Sequence, residues 1–147
     1  MLWEPAAGRG AIVNVLRAAG HDVVASDLVD YGFPLHFVAD FLTLKEAPAD
    51  CSAIVTNPPY QSAEDFVRHA LDLVPNVFML LRLPFLESRR RADILPHRGL
   101  RTVHVFRSRL PMMHRDGWNG PRASSAMPFA WYVWSRGHRD SPALKWI

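Results

Sequence analysis

The sequence predicts one α/β domain built on a mostly parallel sheet. Three observations carry that expectation. Short apolar runs alternate with amphipathic stretches along the chain, which is the pattern of strand–helix–strand units. The 147 residues suffice for one core and not for two. Hydrophobic side chains at 49% and charged ones at 21% are ordinary globular proportions, so global disorder is excluded.

The first strand is short, at most residues 1–4. Residues 11–19 form a helix, which Gly20 terminates because glycine accepts the left-handed conformation. Residues 21–26 form the second strand, with Asp27 at its carboxyl end. A third strand spans 36–39 and ends at Asp40. The fourth, 51–56, is stopped by Asn57-Pro58-Pro59, since proline cannot continue a central strand. Ser62 reads as a helix N-cap, and Asp65 completes a capping-box-like pair with it. That helix runs to 74 and ends at Pro75. Residues 76–82 are a fifth strand, 86–95 a helix, 101–106 a sixth strand and 127–134 a seventh. Trp131 and Trp134 are expected in the core of that last strand, and Cys51 in the core of the fourth. The stretch 107–126 has no period and is long for a connection in a compact domain, which marks it as a functional or disordered loop. Residues 137–147 read as a surface tail.

Composition excludes several classes. A single cysteine rules out a disulfide framework and any four-cysteine zinc site. The seven histidines show no metal-ligand spacing, so no metal is expected. No apolar run reaches the ~18 residues that cross a membrane, and the first residues lack the basic start and long apolar stretch of a signal peptide. A cytoplasmic protein is expected. The net charge of +3 hides a split. Residues 1–80 carry four basic and ten acidic side chains, net −6; residues 81–147 carry thirteen and four, net +9. All but two of the seventeen basic residues are arginine, whose fork suits phosphate and stacks on bases. The second half therefore points to a polyanionic partner. Arg89-Arg90-Arg91 reads as a solvated helix face, with phosphate contact as the second reading.

Four groups carry chemistry, each at the carboxyl end of a strand, where ligands bind in open α/β sheets. Glu4-Pro5-Ala6-Ala7-Gly8-Arg9-Gly10 links the first strand to a helix. Its two glycines let backbone approach a ligand and leave helix amides facing it. A dinucleotide fingerprint wants a third glycine where Val13 stands, which argues against a nicotinamide-dependent oxidoreductase. Asp27, 17 residues after Gly10, is placed to take both hydroxyls of a ribose, or else to cap the following loop. Asp40-Phe41 closes the third strand. Asn57-Pro58-Pro59-Tyr60 is the most specific signal. Its prolines remove two amide donors and leave carbonyls free beside the Asn57 amide. Such acceptors suit a substrate amino group, and Tyr60 offers a flat face to an aromatic ring. A rigid turn with Tyr60 on the core is the alternative.

With these residues in this order, the sequence resembles the class I S-adenosylmethionine-dependent methyltransferases that act on amino groups. It looks most like small phage-type adenine-specific DNA methyltransferases. The resemblance covers nearly the whole chain. It implies a single Rossmann-like domain of seven strands in the order 3-2-1-4-5-7-6, strand seven antiparallel, with residues 1–60 as the cofactor-binding half. It implies S-adenosylmethionine as cofactor, with Glu4, Gly8 and Gly10 at its methionine part, Asp27 at the ribose, Asp40 at the adenine amino group and Phe41 beside that ring. Asn57 and the Pro58 carbonyl would hold the target nitrogen, and Tyr60 would stack on the extruded base. The chain starts at the glycine motif, so the helix that family members place before it is expected to be missing, as in a truncated or mis-started reading frame. No sizeable target-recognition domain is visible; residues 107–126, with Arg109, Arg115, Trp118 and Arg122, are the candidate substrate loop. The expected activity is methylation of adenine N6 in DNA. Guanine-amino methylation of RNA and glutamine-amide methylation of protein fit the same motif, and the basic second half favours nucleic acid. A catalytically inactive nucleic-acid-binding module of the same fold is the rival from another class.

Overall fold

A computed structural model describes residues 1–95, 98–110 and 126–147. Their strands form one eight-stranded sheet: β1 (Leu2–Glu4), β2 (Val23–Asp27), β3 (Phe37–Val38), β4 (Ala53–Thr56), β5 (Asn76–Arg82), β6 (Leu100–Val105), β7 (Phe129–Ser135) and β8 (Ala143–Trp146). The order is β3-β2-β1-β4-β5-β7-β6-β8. β1 to β5 run parallel, β7 runs antiparallel to both β5 and β6, and β8 is parallel to β6. The expected order of the first seven strands is thus observed.

Helices α1 (Ala11–Ala18) and α2 (Ala63–Leu73) pack on opposite faces. α1 buries Val13 against Ala7, Val23 and Ala25. α2 buries Phe66, Val67, Ala70 and Leu71 against Trp3, Val77, Met79, Tyr132 and Trp134. The alternation along β5 explains the division. Val77, Met79 and Leu81 point to α2 and are buried; Phe78 and Leu80 point away and are half-buried.

The structure corrects the sequence reading at five places. The tail read as a surface segment carries β8, an eighth strand along β6 that the sequence reading lacks. Arg107 N–H donates to the Ile147 carbonyl (2.8 Å), and Ile147 N–H to that of Val105 (3.0 Å). Every residue of β8 is exposed and the strand is too short for its pattern to announce it, so its backbone pairing with β6 places it. The helix expected over 86–95 does not form. Two single 3₁₀ turns, Leu83–Leu86 and Arg89–Arg91, stand in its place, separated by extended Glu87 and Ser88. Arg91 explains how carbonyls there are satisfied without an α-helix: its guanidinium donates to those of Phe85 (2.7 Å), Glu87 (3.0 Å) and Pro84 (3.4 Å). It also lies over the Phe85 ring and pairs with Glu64 at 3.7 Å, so this arginine is not a solvated one. Ser62 makes no side-chain cap. The chain enters α2 through a 3₁₀ turn, Tyr60–Ser62, and Ser62 (φ −105°, ψ 10°) lacks the extended backbone that aims a capping hydroxyl. Trp134 is fully buried, with its indole N–H on the Ile94 carbonyl at 2.9 Å, but Trp131 is half-buried because it faces away from α2. Cys51 is also half-buried, since β4 begins two residues later.

Candidate active site

The glycine turn is latched to the end of β2. Asp27 accepts the Gly8 N–H on Oδ2 (2.8 Å) and the Val29 N–H on Oδ1 (3.1 Å). A backbone bond from Ala7 N–H to the Ser26 carbonyl (3.0 Å) reinforces the latch. Gly10 caps α1 at φ +79°, a conformation that favours glycine. A Cβ there would lie 2.1 Å from Phe33 Cε2, so the Phe33 ring rests directly on the turn. Gly8, at φ +54°, has open space where a side chain would point.

Glu4, the last residue of β1, is almost completely buried at 2% exposure. A backbone hydrogen bond from Val13 reaches its carboxyl, yet Oε2 has no partner among the described residues. Burial pushes its pKa up to about 8, and the nearby negative Asp27 adds to the rise. The carboxyl is therefore mostly neutral at pH 7. Among the described residues no donor or cation meets this buried oxygen beside the glycine turn.

Asp40 and Phe41 follow β3. Asp40 is exposed, and its Oδ1 caps the next 3₁₀ turn by accepting the Leu42 N–H at 3.0 Å. Phe41 is 2% exposed and packs between Trp3 (5.3 Å between centroids) and Phe66 (4.7 Å).

The Asn57-Pro58-Pro59-Tyr60 turn leaves the carboxyl end of β4, beside Glu4 on β1, because these two strands are parallel neighbours. Asn57 Oδ1 is buried without a partner among the described residues, and so is the neighbouring Thr56 Oγ1. Pro58 is buried, while Tyr60 is 52% exposed and therefore not packed away as a core residue. The Arg82 guanidinium lies 4.2 Å from the Tyr60 ring centroid, and Phe129 contributes a second ring at 5.8 Å.

Glu4, Gly8, Gly10, Asp27, Asp40, Asn57 and Tyr60 thus share the carboxyl edge of the central strands. Arg109 is exposed after β6. Arg115, Trp118 and Arg122 lie outside the described residues. Three participants escaped the sequence reading: Thr56, Phe33 and Arg82. Only Arg82 left a signal there, as the charge that ends the apolar run of β5. Among the described residues, no group of three or more His, Cys, Asp or Glu could hold a metal ion, and no helix is long and apolar enough to cross a membrane.

No family model and no curated protein matches the sequence. Solved structures do match the fold. A Pyrococcus horikoshii protein described as a candidate RNA methyltransferase superposes with a TM-score of 0.65 at 16% identity, over 92% of this chain and 74% of that one. DNMT2 of Spodoptera frugiperda, in a triple-mutant form, gives 0.60 at 14% identity, over 98% and 54%. The 23S rRNA methyltransferase ErmE gives 0.57 at 20% identity, over 96% and 62%. The chain has the Rossmann-like methyltransferase fold. Its sheet has the order 3-2-1-4-5-7-6 with β7 antiparallel, and β8 is added at the edge. The chain spans little more than half the length of DNMT2 and about three-fifths of ErmE.

Proposed function

We propose that the protein is an S-adenosylmethionine-dependent methyltransferase acting on an exocyclic amino group of a nucleobase, with adenine N6 in DNA as the first reading. One observation supports it above the others: orphaned buried oxygens on Glu4 and Asn57, at the ends of adjacent parallel strands. The donor set fits the cofactor. Glu4 would receive its cationic methionine end, the Gly8–Gly10 turn would lie along it, and residues 1–60 would form its half of the site. Asp27, with one oxygen bonded to Gly8 of the turn and the other to Val29 of the following loop, would fix that turn and offer its remaining lone pairs to the ribose. Asp40 would meet the adenine amino group and the edge of Phe41 its ring. When bound, the cofactor supplies a methyl group activated by a sulfonium.

The chain's part is then acceptor chemistry. Asn57 Oδ1 and the Pro58 carbonyl accept the N–H bonds of the target amino group and draw it from planar toward tetrahedral, which frees the nitrogen lone pair. Positioning and electrostatics do this without a strong base. Tyr60 holds the ring of an extruded or single-stranded base. The basic second half, with Arg109 and the 107–126 stretch, would hold the phosphates.

A second reading, amino methylation of RNA, is favoured by the fold neighbours named for RNA substrates. The test is incubation of the native chain with methyl-labelled cofactor and separate DNA, RNA and protein pools. Label in DNA supports the first reading and label in RNA the second. Label in protein alone, or cofactor that fails to bind, refutes both.

A further inference from the structure

We propose that Arg82 is a substrate-binding residue: it remains against one face of the Tyr60 ring, the other face being left to the target base, while its guanidinium takes the phosphate next to that base. The inference rests on the nucleic-acid reading above, and assigns one residue of that site.

Three features set Arg82 apart. Most neighbouring arginines are spoken for within the fold. Arg68 pairs with Glu64 and Asp93, Arg98 with Asp72, and Arg91 with Glu64 and three carbonyls. Arg136 donates to the carbonyls of Leu71, Asp72 and Val74. Among the described residues, no carboxylate or carbonyl takes the Arg82 guanidinium; its contact is the Tyr60 ring, 4.2 Å away. An exposed contact of this kind is weak and leaves the five N–H donors free.

Its root is also fixed. Arg82 is the last residue of β5 and pairs with Phe129 across the antiparallel ladder. The Tyr132 hydroxyl reaches its carbonyl at 3.3 Å, and Leu83 N–H donates to the Pro128 carbonyl at 2.9 Å. A rigid backbone thus presents a flat, charged group whose guanidinium no described residue pairs. Finally, the ring it covers belongs to the turn that carries Asn57. A planar cation on an aromatic platform gives a nucleotide two things at once, a face for stacking and a fork for phosphate.

The test is binding of a short single-stranded oligonucleotide by fluorescence anisotropy across a salt series, with native chain, Arg82→Ala, Arg82→Gln and Arg82→Lys. Loss of one phosphate contact makes log K against log salt shallower by about 0.7 for a single strand. Both neutral variants should show that loss, and the lysine variant should keep the native slope. S-adenosylmethionine affinity should stay native throughout, and thermal unfolding confirms the fold. A merely structural arginine would shift the melting temperature and leave the slope alone. A native slope in Arg82→Ala and Arg82→Gln overturns this inference and leaves the nucleic-acid reading standing. No oligonucleotide binding by the native chain overturns both.

Discussion

Replacing Glu4 by glutamine should make the protein more stable at neutral pH. The carboxyl is 2% exposed and its pKa stands at about 8, against an ordinary 4.5. Between those values the unfolded chain releases the proton and the folded chain keeps it, so stability falls as pH rises. At roughly 1.36 kcal/mol per pH unit, the native fold loses about 3 kcal/mol by pH 7 and about 5 kcal/mol above pH 8, where the loss levels off. Glutamine fills the same volume and cannot ionise, so Glu4→Gln should lack this decline. Urea unfolding of both proteins at pH 5, 7 and 8.5 reads the difference. The curves should lie close at pH 5 and diverge by a few kcal/mol by pH 8.5. Parallel stability across that range would show that Glu4 is ionised in the fold, and the argument from an orphaned neutral acid would collapse.

Other outcomes follow from the same geometry. If a cation settles beside Glu4, S-adenosylmethionine binding at pH 7 should release about one proton, seen as a dependence of calorimetric heat on buffer ionisation; no such dependence would remove Glu4 from contact with the cation. Gly10→Ala should destabilise more than Gly8→Ala, because both incur about 1–2 kcal/mol of left-handed backbone strain but only the first must displace the Phe33 ring; equal melting temperatures would contradict this. Asn57→Ala should cut turnover by about two to three orders of magnitude with cofactor affinity nearly unchanged, and equal losses in both would make Asn57 a scaffold residue. Tyr60→Phe should keep most single-turnover activity, whereas Tyr60→Ala should lose ~1–3 kcal/mol of base binding; matching behaviour of the two would end the stacking role.

The parts of the fold legible in the sequence are those that bury a periodic face. β2, β5 and α1 have apolar spacing matched to what they cover, and Asn57-Pro58-Pro59 marks the end of β4 because no strand tolerates it. β8 was illegible because every residue in it is exposed and its pairing is backbone to backbone. The region after β5 misled for a related reason. Its apolar and basic residues have helical spacing, but Pro84 and the arginine-held carbonyls favour short turns, a tertiary effect that spacing does not encode.

The candidate site divides the same way. Glu4, Gly8, Gly10, Asp27 and Asn57 could be located because each sits at a fixed offset from a strand end. Phe33 and Arg82 come from a loop and from the last residue of another strand, and only the folded arrangement sets them against Gly10 and Tyr60. Asp27 shows how two readings of one residue can both hold in part. One oxygen latches the glycine turn at Gly8 and the other caps the following loop at Val29, and the ribose role is the further step now proposed.

The most direct measurement is the position of the transferred methyl. Nucleic acid treated with the native chain and S-adenosylmethionine is digested to nucleosides and resolved by mass spectrometry against standards. The account predicts a methyl on an exocyclic nitrogen, adenine N6 in DNA first, and none after treatment with Asn57→Ala at equal protein and time. A methyl on carbon or on a ring nitrogen, or transfer undiminished by Asn57→Ala, would contradict it.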